Sequence, residues 1–113
     1  MKFVMNGCLI IGTMDGANVE IAEEIGEENM FIFGLDIEGV NKARSQMYHE
    51  NKRDYYGAEL AKVYEMIQAG EFAGDSGAFN QLISDLRDGR DQYLVSHDFE
   101  TYCEAQEKVD KAY

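Results

Sequence analysis

A chain of 113 residues, of which 45% are hydrophobic, has room for one compact domain with a core. Acidic residues outnumber basic ones 22 to 10, and the formal charge of −12 argues against nucleic acid and anionic membrane surfaces as partners. The longest apolar run, Cys8–Ile11, is too short to span a bilayer, so we expect a cytoplasmic protein that does not bind membranes.

The first third of the sequence predicts a βαβ unit. Cys8–Thr13 is continuously apolar up to Gly12, as a buried strand would be, and Met30–Phe33 is a second such run. Between them, Asp15 or Asn18 can cap a helix that Gly26 ends. The expected inward face of this helix is Ile21, Ala22 and Ile25. Strands joined by such a crossover pair in parallel.

The rest of the chain is predicted to be helical. A short extended stretch at Tyr93–Val95 is expected before a last helix, which Ser96 or Asp98 would cap. Gly70 and Gly89 are the expected ends of two earlier helices. The apolar residues that share helix faces are Ile37, Val40, Ala43 and Met47; Leu60, Val63, Tyr64 and Ile67; Phe79, Leu82, Ile83 and Leu86; and, facing inward on the last helix, Phe99, Tyr102, Cys103 and Val109.

Few residues in the sequence suggest a catalytic or ligand-binding role. Cys8 and Cys103 have no zinc-binding spacing and are expected to be small buried side chains. Gly12–Asn18 follows a strand and opens a helix, where α/β proteins bind phosphates. Its spacing is neither GxGxxG nor a P-loop, so an ordinary tight turn is the favoured interpretation. We predict no metal site and no catalytic residue. Five glutamates are interpreted as a solvated helix face rather than a metal site: Glu20, Glu23, Glu24, Glu27 and Glu28.

The run from Met1 to Leu35 closely resembles the C-terminal catalytic domain of the α-glucan phosphorylases, which act on glycogen, starch and maltodextrin. Looser anchors follow at Lys52–Tyr56, Gly70–Phe72 and Asp98–Tyr102, and the resemblance continues to Tyr113. It implies that residues 1–113 are one fragment of that α/β domain. Residues 1–35 would be a small parallel βαβ remnant of a Rossmann-like, two-domain glycosyltransferase-type fold, and 36–113 a mainly helical layer.

The resemblance also implies a cofactor and a reaction. Phosphorylases carry pyridoxal 5′-phosphate as a Schiff base on a lysine between Met and Phe, which here is Lys2. The cofactor phosphate exchanges a proton with inorganic phosphate, which attacks α-1,4-glucan and releases α-glucose 1-phosphate. Asp15 is expected to have a structural role near the cofactor pocket.

In the family, a Gly-Thr-Gly-Asn segment before the lysine binds the cofactor phosphate, whereas this sequence begins at Met1. We therefore expect the isolated chain to be inactive and to lack a specific cofactor site. We also expect it to self-associate through Phe3, Leu9, Ile11, Phe31 and Phe33, whose sheet neighbours would be missing. The alternative is a free-standing acidic, non-catalytic interaction module derived from the phosphorylase domain.

Overall fold

The computed structural model describes residues 1–50, 57–75, 77–87, 91 and 93–113, and it describes side chains in these ranges except at 47–50. Helices predominate in a mixed α/β structure, as the sequence predicts. The elements are α1 (Lys2–Met5), β1 (Ile11–Gly12), α2 (Ala17–Ile25), a 3₁₀ turn (Glu27–Asn29), β2 (Phe31–Ile32), α3 (Ile37–Glu50), α4 (Ala58–Gln68), α5 (Asn80–Arg87) and α6 (Val95–Ala112).

The chain divides into two compact units. The first consists of Met1–Asn41 and Glu100–Tyr113, and the second is Lys42–Phe99. Among the residues that the structure describes, no helix has both the length and the apolar character needed to cross a membrane.

The first unit contains the predicted βαβ arrangement. β1 and β2 pair in parallel, with Ile11 opposite Phe31 and Gly12 opposite Ile32. The N–H of Phe31 donates to the carbonyl of Ile10 at 2.9 Å, and the N–H of Phe33 donates to that of Gly12 at 3.1 Å. The parallel pairing across α2 is therefore confirmed. Both strands are shorter than the apolar runs that predict them, because only two residues of each lie in the paired ladder.

The end of α2 is predicted correctly and its beginning is not. Gly26 follows the helix with φ +87°, a conformation that favours glycine, and its N–H donates to the carbonyl of Ala22. At the other end Gly16 is the N-cap and no side chain caps the helix, so the predicted cap by Asp15 or Asn18 is wrong. The predicted inward face is correct for buried Ala22 but not for Ile25, which is 38% exposed.

Cys8 is exposed, so the prediction that it is buried is wrong. Its N–H donates to the carbonyl of Phe3 at 3.1 Å, and Gly7 before it has φ +82°. Cys8 thus completes the turn that ends α1 and lies outside the paired part of β1. Cys103, on α6, is half-buried.

The core of the second unit lies between α4 and α5. Leu60, Tyr64 and Ile83 are buried together, and partly buried Ile67, Leu86 and Phe99 pack against them. The helical spacing predicted both helices, and Gly70 follows α4 with φ +80°. The apolar face of α5 is only partly covered, since Leu82 is 52% exposed while Ile83 is 1% exposed. Gly89 and Lys52–Tyr56 lie outside the described residues.

A buried polar network begins α6. The N–H of Ser96 donates to Oδ2 of Asp91 at 2.9 Å, and the hydroxyls of Ser96 and Tyr64 are 2.6 Å apart. Tyr64, Ser96 and Asp91 are 4%, 2% and 7% exposed. The predicted cap by Ser96 or Asp98 is therefore wrong, because both lie inside the helix and a carboxylate outside it accepts the N–H of Ser96.

The predicted extended stretch at Tyr93–Val95 is also wrong. The N–H of Leu94 donates to the carbonyl of Asp91, closing a turn, and Val95 already begins α6. Leu94 has φ +54°, a left-handed conformation that is uncommon for leucine, and its side chain is 1% exposed. The buried side chain of Leu94 stabilises this left-handed backbone conformation, which the spacing of apolar residues in the sequence does not predict.

Candidate functional site

The turn from Gly12 to Asn18 connects the carboxyl end of β1 to α2. Within it, the N–H of Asp15 donates to the carbonyl of Thr13 at 2.9 Å, and that of Asn18 donates to the carbonyl of Asp15 at 3.2 Å. The half-buried side chain of Asn18 donates through Nδ2 to the carbonyl of Thr13 at 2.9 Å. Asn18 therefore binds the end of the strand from within the helix, instead of capping the helix.

Two glycines give this turn its shape. A Cβ atom on Gly12 would lie 2.6 Å from Nδ2 of Asn18, so the absence of a side chain at Gly12 makes room for the amide. Gly16 has φ +53° and ψ −137°, a backbone conformation that residues with a side chain rarely adopt. The backbone at Gly16 requires glycine, whereas a side chain at Gly12 would have to displace the amide of Asn18.

Asp15 lies at the outer side of the turn, and it is exposed. Its backbone N–H and carbonyl are both used within the turn, and its carboxylate does not cap α2. The structural role predicted for it near a cofactor pocket stays a prediction.

Lys2 is the first residue of α1 and is exposed. Its carbonyl accepts a hydrogen bond from Nδ2 of Asn6 at 2.7 Å. No hydrogen bond or ion pair between Lys2 and Asp15 is present among the described residues, so the structure does not join the two predicted site residues.

The carboxyl end of β2 is held by α6, a contact that the sequence analysis missed. The N–H of Gly34 donates to Oγ1 of Thr101 at 3.0 Å. The rings of Phe33 and Tyr102 meet edge to face, with centroids 5.2 Å apart and planes at 73°. Tyr102 was predicted to face inward but is 41% exposed, and its contact with Phe33, the residue after β2, could not be named from spacing.

Both turns at this edge of the sheet are thus fixed by side chains on helices. The turn after β1 is bound by Asn18, and the turn after β2 by Thr101. Because β1 and β2 are parallel, their carboxyl ends share one edge, which is where open α/β sheets bind ligands.

The acidic residues around α2 do not form a site. Glu20, Glu23, Glu24, Glu27 and Glu28 are all exposed, as expected of a solvated surface. Over the described ranges, no three His, Cys, Asp or Glu side chains come together where they could hold a metal ion.

All of residues 1–113 match the family model described as carbohydrate phosphorylase. The chain belongs to the carbohydrate phosphorylase family. It is 45% identical over 114 residues to a glycogen phosphorylase of Synechocystis sp., and 44% identical over 115 residues to the muscle form of glycogen phosphorylase of Homo sapiens. A glycogen phosphorylase of Saccharomyces cerevisiae is also 44% identical over 115 residues.

Each of these alignments covers 100% of this chain, and this chain spans only 12–13% of the length of the three relatives. The family resemblance predicted from Met1–Leu35 is therefore confirmed and extends over the whole sequence. The roles of Lys2 and Asp15 are not tested by these similarities and stay predictions.

Proposed function

We propose that this chain is part of an α-glucan phosphorylase whose reaction is the phosphorolysis of α-1,4-glucan to α-glucose 1-phosphate. The observation that carries the proposal is the family match over residues 1–113, with relatives named glycogen phosphorylase at 44–45% identity. In this proposal the substrates of the whole enzyme are the glucan and inorganic phosphate. The same match does not favour a non-catalytic interaction module.

The proposal places residues 1–113 in the Rossmann-like part of the catalytic domain. The parallel pairing of β1 and β2 across α2 supports this, since such βαβ units build doubly wound sheets. The turn from Gly12 to Asn18 would then lie at the ligand-binding edge of that larger sheet. Asn18 and Gly12 would give the turn its shape there, and Asp15 would have a structural role beside the cofactor.

Lys2 is proposed to attach the aldehyde of pyridoxal 5′-phosphate. Its amine is the right nucleophile for a carbonyl carbon, and it is exposed on α1. The amides of Asp15, Asn18 and Val19 already donate to carbonyls inside the turn, so as they stand they do not fit the cofactor phosphate. We expect the 113-residue chain alone to be inactive.

The reaction can be tested in a chimera. Residues 1–113 replace the matching segment of the Synechocystis relative, and phosphate-dependent release of glucose 1-phosphate from glycogen is measured. We expect activity in the chimera, and its loss together with loss of the cofactor on Lys2→Ala. Lys108→Ala, at an exposed position on α6, is the matched control and should leave both unchanged.

Two results would contradict these assignments separately. A folded chimera that binds the cofactor but releases no glucose 1-phosphate would refute the proposed reaction. A Lys2→Ala chimera that retains stoichiometric cofactor would refute the assignment of Lys2.

Labelling tests the isolated chain. After incubation with pyridoxal phosphate and reduction with borohydride, mass mapping should find label spread over several amines and unaffected in total by Lys2→Ala. This follows because Lys2 is one of several exposed amines, and no contact within the described residues encloses it. A single stoichiometric label on Lys2 at micromolar cofactor would contradict this expectation.

A further inference from the structure

The carboxyl end of β2 is held by β1 and by α6. The N–H of Phe33 donates to the carbonyl of Gly12 in β1 at 3.1 Å, and the next N–H along the chain, that of Gly34, donates to Oγ1 of Thr101 on α6 at 3.0 Å. The ring of Phe33 also meets that of Tyr102 edge to face. All of these residues belong to the first unit, so the contacts lie within one compact part of the chain.

The same contacts continue to the turn after β1. The carbonyl of Gly12, which accepts from the end of β2, is followed by the carbonyl of Thr13, which accepts from Nδ2 of Asn18 at 2.9 Å. An unbroken series of hydrogen bonds and adjacent residues therefore joins the hydroxyl of Thr101 to the turn from Gly12 to Asn18. This series crosses the carboxyl ends of both strands, where open α/β sheets bind ligands.

Gly34 is the residue in this series whose backbone most needs a fixed partner. It has φ +75°, and glycine has more conformational freedom than any other residue. If the Thr101 hydroxyl were removed, water could accept the N–H of Gly34 in its place, because this hydrogen bond is exposed. Loss of the hydroxyl should therefore release the turn after β2 without unfolding the unit.

We propose that Thr101 is a positioning residue for the phosphorolysis reaction. Its hydroxyl fixes the backbone at Gly34, and through Phe33 and Gly12 it fixes the turn after β1 at the ligand-binding edge. The proposal rests on the proposed function, and it assigns to Thr101 no contact with glucan, phosphate or cofactor. Reaction rates depend steeply on how well the groups around the reacting atoms are placed, so a freed turn lowers the rate at a distance.

Kinetics of the chimera described above test this role. We expect Thr101→Val, which keeps the branched shape and removes the hydroxyl, to lower kcat about five- to tenfold, the effect of losing one hydrogen bond. The KM values for phosphate and for glycogen should each stay within about twofold. The rate is counted per bound cofactor, because a merely structural role would reduce the amount of intact enzyme and leave this rate unchanged.

Two companion variants separate the hydroxyl from other effects. Thr101→Ser keeps an oxygen that can accept the N–H of Gly34 and should restore kcat to within about twofold. Tyr102→Phe is the matched control, since it removes a hydroxyl from the next residue of α6 that contacts Gln106, and it keeps the ring that meets Phe33. This control should leave kcat and both KM values within about twofold.

Amide hydrogen exchange, followed by mass spectrometry, tests the coupling without any reaction. In the 113-residue chain and in the chimera, Thr101→Val should speed exchange severalfold in peptides that cover Gly12–Asn18. The amides of Asp15 and Asn18 are informative there, because they donate to carbonyls within the turn and lie far from Thr101 in the sequence. Thr101→Ser and Tyr102→Phe should leave this exchange unchanged.

The positioning role is overturned if Thr101→Val leaves kcat per bound cofactor within twofold, or if Thr101→Ser is as slow as Thr101→Val. It is also overturned if exchange over Gly12–Asn18 is the same in Thr101→Val as in the unsubstituted chain. An unsubstituted chimera that binds cofactor but releases no glucose 1-phosphate would instead refute the proposed reaction, and with it a role for Thr101 in that reaction, whatever the exchange result.

Discussion

Tyr64→Phe should destabilise the second unit, although it removes a single oxygen atom. The Tyr64 hydroxyl lies 2.6 Å from the Ser96 hydroxyl, and the two residues are 4% and 2% exposed. In the variant, the Ser96 hydroxyl loses this partner at a site that water does not reach. Leaving a buried polar group without its partner costs about 1–3 kcal/mol, and we expect a loss in that range from the free energy of unfolding.

A double-mutant cycle separates the hydrogen bond from other effects of the substitutions. Ser96→Ala should cost a similar amount, because it removes the same contact from the other side. The double variant removes both hydroxyls, so its cost should be smaller than the sum of the two single costs by about 1 kcal/mol or more. Tyr102→Phe is the matched control: Tyr102 is 41% exposed, and the loss of its hydroxyl should change stability by less than about 0.5 kcal/mol.

Urea unfolding of the dilute chain, followed by far-ultraviolet circular dichroism, measures each free energy. An unchanged slope against urea would show that the variants alter stability rather than the surface exposed on unfolding. The reasoning is refuted if Tyr64→Phe costs no more than Tyr102→Phe. It is also refuted if the costs of the two single substitutions are additive, since the hydroxyls would then not be coupled.

The sequence predicted those features that depend on local patterns. Two apolar runs separated by a helix gave the parallel βαβ unit, and helical spacing gave α4 and α5. Gly26 and Gly70 were recognised as helix ends because a left-handed residue there is usually glycine. These signals are local, since each arises from residues within a few positions of one another.

Capping could not be predicted in the same way. Asp15, Asn18, Ser96 and Asp98 are all residue types that cap helices, but none of them caps α2 or α6. The side chain of Asn18 donates to the carbonyl of Thr13, the residue after β1. The N–H of Ser96 donates to the carboxylate of Asp91, five residues earlier. Several partners lie within reach of such side chains, and three-dimensional packing decides which one is used.

The candidate site also depends on features that local sequence patterns do not predict. Spacing alone could not separate the turn from Gly12 to Asn18 from an ordinary tight turn, and Lys2 carries no signal except the family resemblance. The contact of Thr101 with Gly34 joins residues 67 positions apart, so no local pattern contains it. Nothing within the described residues binds Lys2 to the turn, and the relation between them depends on comparison with relatives.

Three further substitutions test the first unit by urea unfolding. Asp15→Ala should change the free energy of unfolding by less than about 0.5 kcal/mol, because the exposed carboxylate does not cap α2. A loss of about 1 kcal/mol would instead indicate that Asp15 caps the helix. Tyr102→Leu should lower the free energy of unfolding by about 0.5–1.5 kcal/mol more than Tyr102→Phe does, because only phenylalanine keeps the edge-to-face contact with Phe33. Equal losses for the two variants would show that this contact does not stabilise the unit. Gly12→Ala places a methyl group 2.6 Å from Nδ2 of Asn18, so the amide must leave the carbonyl of Thr13 or the strand must shift. We expect a cost of about 1–3 kcal/mol, typical of overpacking. The cost should fall on an Asn18→Ala background, where no amide opposes the methyl group. An undiminished cost there would locate the strain in the backbone of β1 rather than in the contact between Gly12 and Asn18.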